Sequence, residues 1–159
     1  MKPIDAADRK ILTILQGNAR TPNVEIARRL KLAPSAVLER IRKLEKRGAI
    51  RGYEAQLDAP MLDLGLVAFI FVRAEERVGS TAVGLALSRI PGVQEVHHVA
   101  GEDCYLVKVR AASTEALGKL LREQFGAIRA ITSTRTTVVF TTVKETAKLP
   151  IENGEAGHE

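Results

Sequence analysis

The first fifty residues repeat apolar side chains at helical spacing and predict three short helices. The first is expected to begin at Asp5, with Asp8 three positions later as in a capping box, and to end at Gly17. The second is expected to begin at Thr21 as its cap, with Pro22 in the first turn. The residues predicted to face inward are Ile11, Leu12, Ile14 and Leu15 in the first helix, and Val24, Ile26, Ala27 and Leu30 in the second.

A third helix is predicted from Pro34 to Gly48, after a turn of about three residues. At about 100° per residue, Val37, Ile41 and Leu44 fall on one face, with Leu38 at the edge of that face. Two short helices joined by so short a turn are typical of a helix-turn-helix.

The opposite face of this third helix is polar. It carries Ser35, Glu39, Arg42 and Lys46, with Ala36 and Lys43 on its flank. Small residues in the first turns allow a close approach to base edges in a major groove, and the cations behind them can contact phosphates. A charged face that is merely solvated is the alternative interpretation, but it does not explain the small residues in the first turns.

Residues 49–57 after this helix are predicted to form a short strand, in which Ile50 packs on the helices and Arg51 lies near a DNA backbone. The pattern then breaks, and 53–65 is interpreted as strand and linker. The predicted domains are 1–52, a helix-turn-helix, and 66–145, an α+β domain, followed by a tail at 146–159 that is expected to be disordered.

The sequence pattern of the second domain predicts the order β-α-β-β-α-β, the ferredoxin-like split βαβ arrangement. Its elements are expected at 66–72, 81–90, 93–100, 105–109, a helix capped by Ser113, and 131–143. One face of the sheet would carry the helices. The other face also bears apolar residues and needs a cover, for which a second subunit is the simplest choice. A dimer would place two heads side by side on a two-fold DNA site.

Charge is distributed unevenly along the 159 residues. Residues 1–52 hold 13 Lys and Arg against 5 Asp and Glu, whereas 53–159 hold 11 against 14. A polyanion partner is therefore expected for the first domain alone. No stretch is apolar enough for a membrane span, no secretory signal is recognised, and Cys104 is the one cysteine, so a cytoplasmic protein without a metal site is expected.

Several segments, in order along the chain, resemble the leucine-responsive regulator/asparagine regulator (Lrp/AsnC) family of transcription factors. The resemblance runs from about residue 4 to residue 143. The matching segments are Asp5 with Asp8 and Ile11-Leu12, then 19–20 and 23–27, 34–45 as the recognition helix, 48–53, the glycine-turn strand pair at 99–109, and 133–136 in the last strand.

The resemblance implies a winged helix-turn-helix followed by an effector-binding and oligomerisation domain. It also implies dimers that assemble into an octamer, a tetramer of dimers, with an amino acid or a related metabolite bound near the glycine turn and no other cofactor. The implied effector residues are Gly101, Glu102, Asp103, Cys104 and Tyr105, with Thr134 and Thr136. The implied DNA-contacting residues are Ser35, Ala36, Glu39, Arg40, Arg42, Lys43 and Lys46, with Arg51.

Bare N–H groups in such a turn can hold a carboxylate, and Asp103 can accept from an α-ammonium group or serve the turn itself. Two positions depart from the family. Ala33 cannot cap the recognition helix, and Cys104 stands where many members carry a carboxylate.

The residues do not favour other classes of function. The chain shows no nucleophile–base pair and no phosphate-binding glycine loop, so an enzyme is not expected. Haem-pathway decarboxylases resemble the same scaffold, but the cationic face of the third helix argues against them, as it does against a pure metabolite-binding module. His97 and His98 point to opposite sides of a strand and cannot chelate one ion together. Cys104 is expected to be inert rather than a redox sensor.

Overall fold

The computed structural model of the chain describes residues 4–101 and 103–151. These form two compact units: a helical unit made of 4–56 together with 145–151, and a sheet unit made of the rest. The domain limits drawn at 52, 65 and 145 remain predictions. None of the helices within the described ranges is long and apolar enough to cross a membrane.

The helical unit contains the three predicted helices. They are α1 (Ala6–Gly17), α2 (Asn23–Leu30) and α3 (Pro34–Lys46). Lys31 ends α2 in the left-handed conformation, with φ of 54°, and this sharp change of direction keeps the α2–α3 turn short. The predicted helix-turn-helix is confirmed.

The predicted cap of α1 is confirmed, and that of α2 is wrong. Asp5 Oδ1 accepts a hydrogen bond of 2.8 Å from the Asp8 N–H, and α1 ends where the Asn18 N–H donates to Ile14 O. Thr21 does not cap α2, because its hydroxyl donates to Asn18 O at 2.8 Å. Pro22 occupies the N-cap position instead.

An aliphatic core joins the three helices. Its buried members are Ile11, Ile26, Ala27, Val37, Ile41 and Leu44. Val24 was predicted to face inward but is 66% exposed. It lies one turn before the exposed Arg28 on the same side of α2, and the eight residues of this helix leave room for only one buried side.

The strand predicted at 49–57 is not formed, since the structure describes no regular element there. A strand needs a partner for its backbone groups, and the strands of the described sheet all lie between 66 and 138. Ile50 nevertheless packs on the helical core as expected. The Tyr53 hydroxyl donates to Glu45 Oε1 at 2.9 Å, and partial burial, with the nearby carboxylate, raises the pKa of Tyr53 to about 12.

The tail predicted to be disordered falls outside the described residues from 152 onward. Within 146–151 there is no helix or strand, but Leu149 is bound to α1. The Gln16 side chain accepts from the Leu149 N–H at 2.7 Å and donates to the Leu149 carbonyl at 3.0 Å. This part of the chain therefore has a defined place on the helical unit.

The sheet unit confirms the β-α-β-β-α-β order. Its strands are β1 (Leu66–Ala74), β2 (Val93–His98), β3 (Tyr105–Ala111) and β4 (Ile131–Val138), in the spatial order β2-β3-β1-β4, with each described neighbouring pair antiparallel. Its helices are α4 (Ala82–Leu87) and α5 (Thr114–Leu120), which continues in a π-helical turn over Leu121–Phe125, and a 3-10 turn over Pro60–Leu62 precedes β1. Ser113 caps α5 as predicted, accepting from the Ala116 N–H at 3.2 Å.

The last strand is shorter than predicted, because it ends at Val138 instead of residue 143. Its partner β1 starts at Leu66, and the Val139 N–H makes the final bond, to Val67 O. Beyond that point only Leu66 of β1 remains.

Alternation along β1 and β3 separates the two faces of the sheet. Ile70 pairs with Val107 and Val72 with Tyr105, and all four are buried beneath the helices. The intervening residues of β1, Phe69 and Phe71, point to the other face and are only half-buried.

Tyr105 links the core of this unit to Glu76 and to α4. Its hydroxyl donates to Glu76 Oε2 at 2.5 Å, and the other oxygen of Glu76 accepts from the Val83 N–H at the start of α4. The Tyr105 hydroxyl is the first cause of the lowered pKa of Glu76, and burial raises the pKa of Tyr105 to about 12. The ring is 1% exposed and lies so close to Gly84 that an added Cβ would be 2.7 Å from its Cε1 atom.

Gly84→Ala is therefore expected to destabilise the protein. Because the added Cβ would be 2.7 Å from a buried ring atom, crowding should cost near the upper end of about 1–3 kcal/mol. This exceeds the roughly 1 kcal/mol that better helix propensity recovers. Urea unfolding followed by circular dichroism measures the change. Gly52→Ala is the control, because an added Cβ there meets nothing within 4 Å. Equal stability of the two variants would contradict the packing described here.

Candidate nucleic-acid interface and effector site

The third helix separates its side chains as predicted. Val37, Ile41 and Leu44 are buried in the helical core. The predicted DNA-contacting residues Ser35, Ala36, Glu39, Arg42, Lys43 and Lys46 are exposed, and so is Arg51 after the helix. The structure thus brings six of the predicted residues together on the outer side of one helix.

The start of α3 carries no side-chain cap. Ala33 occupies the N-cap position and offers no acceptor, as expected from the sequence, and Pro34 is the first helical residue. The first turn holds no acidic residue either. Neither a capping side chain nor an acidic residue of the first turn therefore compensates the positive partial charge at this end of the helix.

Charges on the outer side of α3 are only loosely paired. Lys43 Nζ lies 3.3 Å from Glu39 Oε1, with both side chains more than half exposed. Such a pair contributes little to stability and opens readily for a stronger partner.

Two further cations on α2 were not among the predicted residues. Arg28 and Arg29 both contact Glu25 Oε1, at 2.8 and 2.7 Å. The Arg28 contact, followed by that of Arg29, lowers the pKa of Glu25 to about 2. The spacing of three and four residues on one helix is the sequence signal that would have shown this cluster.

Arg40 is placed differently from the other predicted residues. Its Nη1 atom donates to Asp5 Oδ2 and to Asp8 Oδ1, each at 2.7 Å. These hydrogen bonds, from Asp5 first and then Asp8, raise the pKa of the guanidinium. Arg40 therefore connects α3 to the start of α1 instead of joining the exposed cationic side.

The predicted effector residues around the glycine turn fall into two groups. Gly101 has φ of 125°, a conformation that favours glycine, and Glu102 lies outside the described residues. Asp103 Oδ2 accepts from Arg135 Nη2 at 3.2 Å, and the Cys104 thiol donates to Ala74 O at 3.3 Å. Tyr105, by contrast, points into the core beneath the helices.

Arg135 was not predicted and has a central position. Its guanidinium carbon lies 3.9 Å from the centre of the Phe71 ring, in addition to its contact with Asp103. Phe71 is also its register partner on β1. The predicted Thr134 and Thr136 pair with Val72 and Ile70, so they face the helix side of the sheet, away from Arg135. The alternation along β4 is the signal that would have favoured Arg135.

The two adjacent histidines lie on opposite sides of β2, as predicted. His97 Nε2 is 3.1 Å from Glu95 Oε2, whereas the His98 ring stacks on Tyr105 with 5.0 Å between centres. In the parts of the chain that the structure describes, no three His, Cys, Asp or Glu side chains are grouped to hold a metal ion.

Two family models match the chain, one for each unit. Residues 4–51 match a winged helix-turn-helix DNA-binding domain, and residues 67–149 match the Lrp/AsnC ligand-binding domain. Together they cover most of the chain.

Individual relatives agree with these matches. The leucine-responsive regulatory protein of Escherichia coli K12 is 36% identical over 153 residues, covering 95% of this chain and 93% of that protein. A transcriptional regulator from Neisseria meningitidis, solved with L-methionine, superposes with a TM-score of 0.87 at 29% identity, covering 94% of this chain and 98% of that one. The feast or famine regulatory protein of Mycobacterium tuberculosis, also solved with L-methionine, gives 0.84 at 30% identity, with coverage of 92% and 99%.

These relatives are transcriptional regulators, which confirms the expectation of a regulator over an enzyme such as a haem-pathway decarboxylase. The order of the units, the exposed cationic side of α3 and the glycine turn of the sheet unit agree with that function. The chain belongs to the Lrp/AsnC family of DNA-binding transcriptional regulators with an amino-acid ligand-binding domain.

Proposed function

We propose that α3 is the helix that enters the DNA major groove. Ser35, Ala36 and Glu39 in its first turns would face base edges, while Arg42, Lys43, Lys46 and Arg51 would contact phosphates. The observation that carries this proposal is the division of α3 into a side buried through Val37, Ile41 and Leu44 and an exposed side that is mainly polar. A helix held in this way can present only its polar side to a duplex.

Two properties of α3 support this orientation. Its uncapped N-terminus favours an anion such as a phosphate. Its basic residues are concentrated toward the C-terminal half, where Lys43 and Lys46 lie in the last turn. The small side chains therefore come first along the helix and the long cations after them, as an approach of the N-terminal turns to the bases requires.

The roles of single residues are tested by Arg42→Ala and Ser35→Ala. Arg42→Ala should weaken binding by the same factor for a selected and a scrambled duplex, and should reduce the slope of log K against log salt by about 0.9, because one phosphate contact is lost. Ser35→Ala should instead reduce the preference for the selected duplex and leave the slope unchanged.

Fluorescence anisotropy titrations over about 50–200 mM salt provide both quantities. Arg77→Ala is the matched control, because it removes an exposed arginine from the sheet unit. If Arg77→Ala lowers the salt slope as much as Arg42→Ala does, the assignment of phosphate contacts to α3 is wrong.

For the effector, we propose an amino acid bound through its charged head group by Asp103 and Arg135. The carboxylate would accept from the α-ammonium group, and the guanidinium would donate to the α-carboxylate. In the structure Arg135 Nη2 lies 3.2 Å from Asp103 Oδ2, so the two charges neutralise each other. When an amino acid binds, its ammonium group would replace Arg135 as the partner of Asp103, and its carboxylate would replace Asp103 as the partner of Arg135. Phe71 supports this arrangement because its ring makes a cation–π contact with the Arg135 guanidinium.

The remaining predicted effector residues have other positions. Gly101 supplies the backbone of the turn, and Cys104 lies directly beside Asp103. Tyr105, Thr134 and Thr136 face the helix side of the sheet and are left out of the proposed head-group site.

Modified ligands test this head-group recognition. L-methionine, the ligand of two solved relatives, and L-leucine should raise the thermal unfolding temperature of the wild-type protein if they bind its native state. N-acetyl-L-methionine lacks the ammonium group and methionine methyl ester lacks the carboxylate, so both should raise it less. Asp103→Asn and Arg135→Gln should each abolish most of the rise caused by whichever free amino acid binds.

Arg129→Gln is the matched control, since Arg129 is an exposed arginine of the same unit. An undiminished rise in both Asp103→Asn and Arg135→Gln would contradict the proposed site. A rise with none of the twenty amino acids would count against an amino-acid effector altogether.

We further propose that the protein acts in the cytoplasm as a dimer that assembles into an octamer, a tetramer of dimers. The half-buried Phe69, Phe71 and Leu106 lie on the sheet face opposite the helices, and a second subunit would cover them. Sedimentation analysis should show masses of two and eight chains. A single species of one chain would contradict this assembly.

A further inference from the structure

We propose that Arg40 is a positioning residue for DNA recognition and not a DNA contact. It fixes the angle of α3 against α1 through Asp5 and Asp8. This inference rests on the proposed role of α3 in reading DNA, and it adds the element that determines how α3 is oriented. The observation that carries it is one guanidinium nitrogen shared by two carboxylates of another helix, at 2.7 Å each.

The two carboxylates are themselves fixed. Asp8 is only 8% exposed and is the one charged residue in the described chain that is classed as buried. A buried carboxylate needs a compensating charge, and Arg40 supplies it. Asp5 Oδ1 is occupied by the Asp8 N–H while Oδ2 accepts from Arg40, so the same side chain caps α1 and fastens α3. The Asp8 N–H, followed by Arg40, holds the pKa of Asp5 below its usual value, and Asp5 stays ionised at neutral pH.

The helix α3 requires such a directional contact. The core beneath it is entirely aliphatic. It fixes which side of α3 faces inward, but non-directional aliphatic contacts define the crossing angle and the position along the helix axis less sharply. Its N-terminus has no side-chain cap that would fix its entry. A charge-assisted bond to two fixed oxygens is directional. Arg40 lies between Glu39 and Arg42 in sequence, so a shift at Arg40 would displace the DNA-facing residues on either side.

The local charge also argues against a phosphate contact. Arg40 contributes one positive charge, and Asp5 with Asp8 contribute two negative ones at contact distance. The cluster is therefore negative overall and attracts a phosphate less than the exposed Arg42 does. Arg40 is also only 34% exposed at its side chain.

The sharpest test removes a negative charge and asks whether DNA binding falls. If only electrostatics mattered, Asp5→Asn and Asp8→Asn would strengthen binding to a polyanion. The positioning role predicts the opposite. Each variant should bind the selected duplex about tenfold more weakly, as expected when one charge-assisted contact that orients α3 is lost. Asparagine is as good an N-cap as aspartate, so Asp5→Asn keeps the end of α1 intact.

Glu54→Gln is the control, because it removes an exposed negative charge from the same unit. It should bind DNA at least as tightly as the wild type. Thermal melts should be recorded for every variant, and binding compared at a temperature at which all of them are folded. If Asp8→Asn does not fold, two other variants still test the proposal: Asp5→Asn, which changes an exposed residue, and the conservative Arg40→Lys.

The salt dependence separates positioning from contact. Arg40→Ala should weaken binding to the selected duplex with an unchanged salt slope, whereas loss of a phosphate contact lowers the slope by about 0.9. Arg40→Lys should recover part of the affinity, since an ammonium group can reach one of the two carboxylates.

Three results would be informative in different ways. Weaker binding by both aspartate variants at an unchanged slope supports the positioning role. Tighter binding by the aspartate variants, together with a reduced slope for Arg40→Ala, overturns it and makes Arg40 a phosphate contact. If Arg42→Ala also leaves affinity and slope unchanged, the proposed role of α3 itself fails, and the positioning role fails with it.

Discussion

The burial of Val37, Ile41 and Leu44 is the constraint on which the DNA-binding face depends. These side chains lie at helical spacing and are almost completely removed from water by the other two helices. Burying each of them contributes about 1.5–3 kcal/mol, so rotating α3 to expose them would be costly. The outer side must then carry the remaining residues, which are small at the first turns and cationic behind them. One packing requirement thus determines which side of the helix is available to a duplex.

Hydrophobic core packing and specific polar contacts have different roles in the two units. In the helical unit, aliphatic burial selects the face of α3, and the Arg40 cluster is proposed to set its angle. In the sheet unit, side-chain alternation along β1 and β3 places Tyr105 in the core, where its hydroxyl donates a hydrogen bond to Glu76. The same alternation leaves Phe71 and Arg135 on the other face beside Asp103. The proposed head-group site is therefore built from side chains that are not part of the buried core.

Features that depend on local periodicity could be predicted from the sequence, and features that depend on a distant partner could not. The helix-turn-helix, the buried side of α3, the Ser113 cap and the strand order follow from spacing within short segments. The prediction of a strand at 49–57 was wrong because the described chain offers this segment no pairing partner. The predicted β4 was too long because its partner β1 ends first. Likewise, the bonds of Arg40 to Asp5 and Asp8, and that of Arg135 to Asp103, could not be predicted, because these partners lie 32 or more residues away.

Site-specific cross-linking measures whether the exposed side of α3 lies against DNA. In a Cys104→Ser background, a single cysteine at Ser35 carries a short photoreactive group, and a second protein carries it at the exposed Ala112 of the sheet unit. Cross-links to bases of the selected duplex are expected from position 35, and few are expected from position 112. Cross-links of equal yield from both positions, or from position 112 alone, would contradict it.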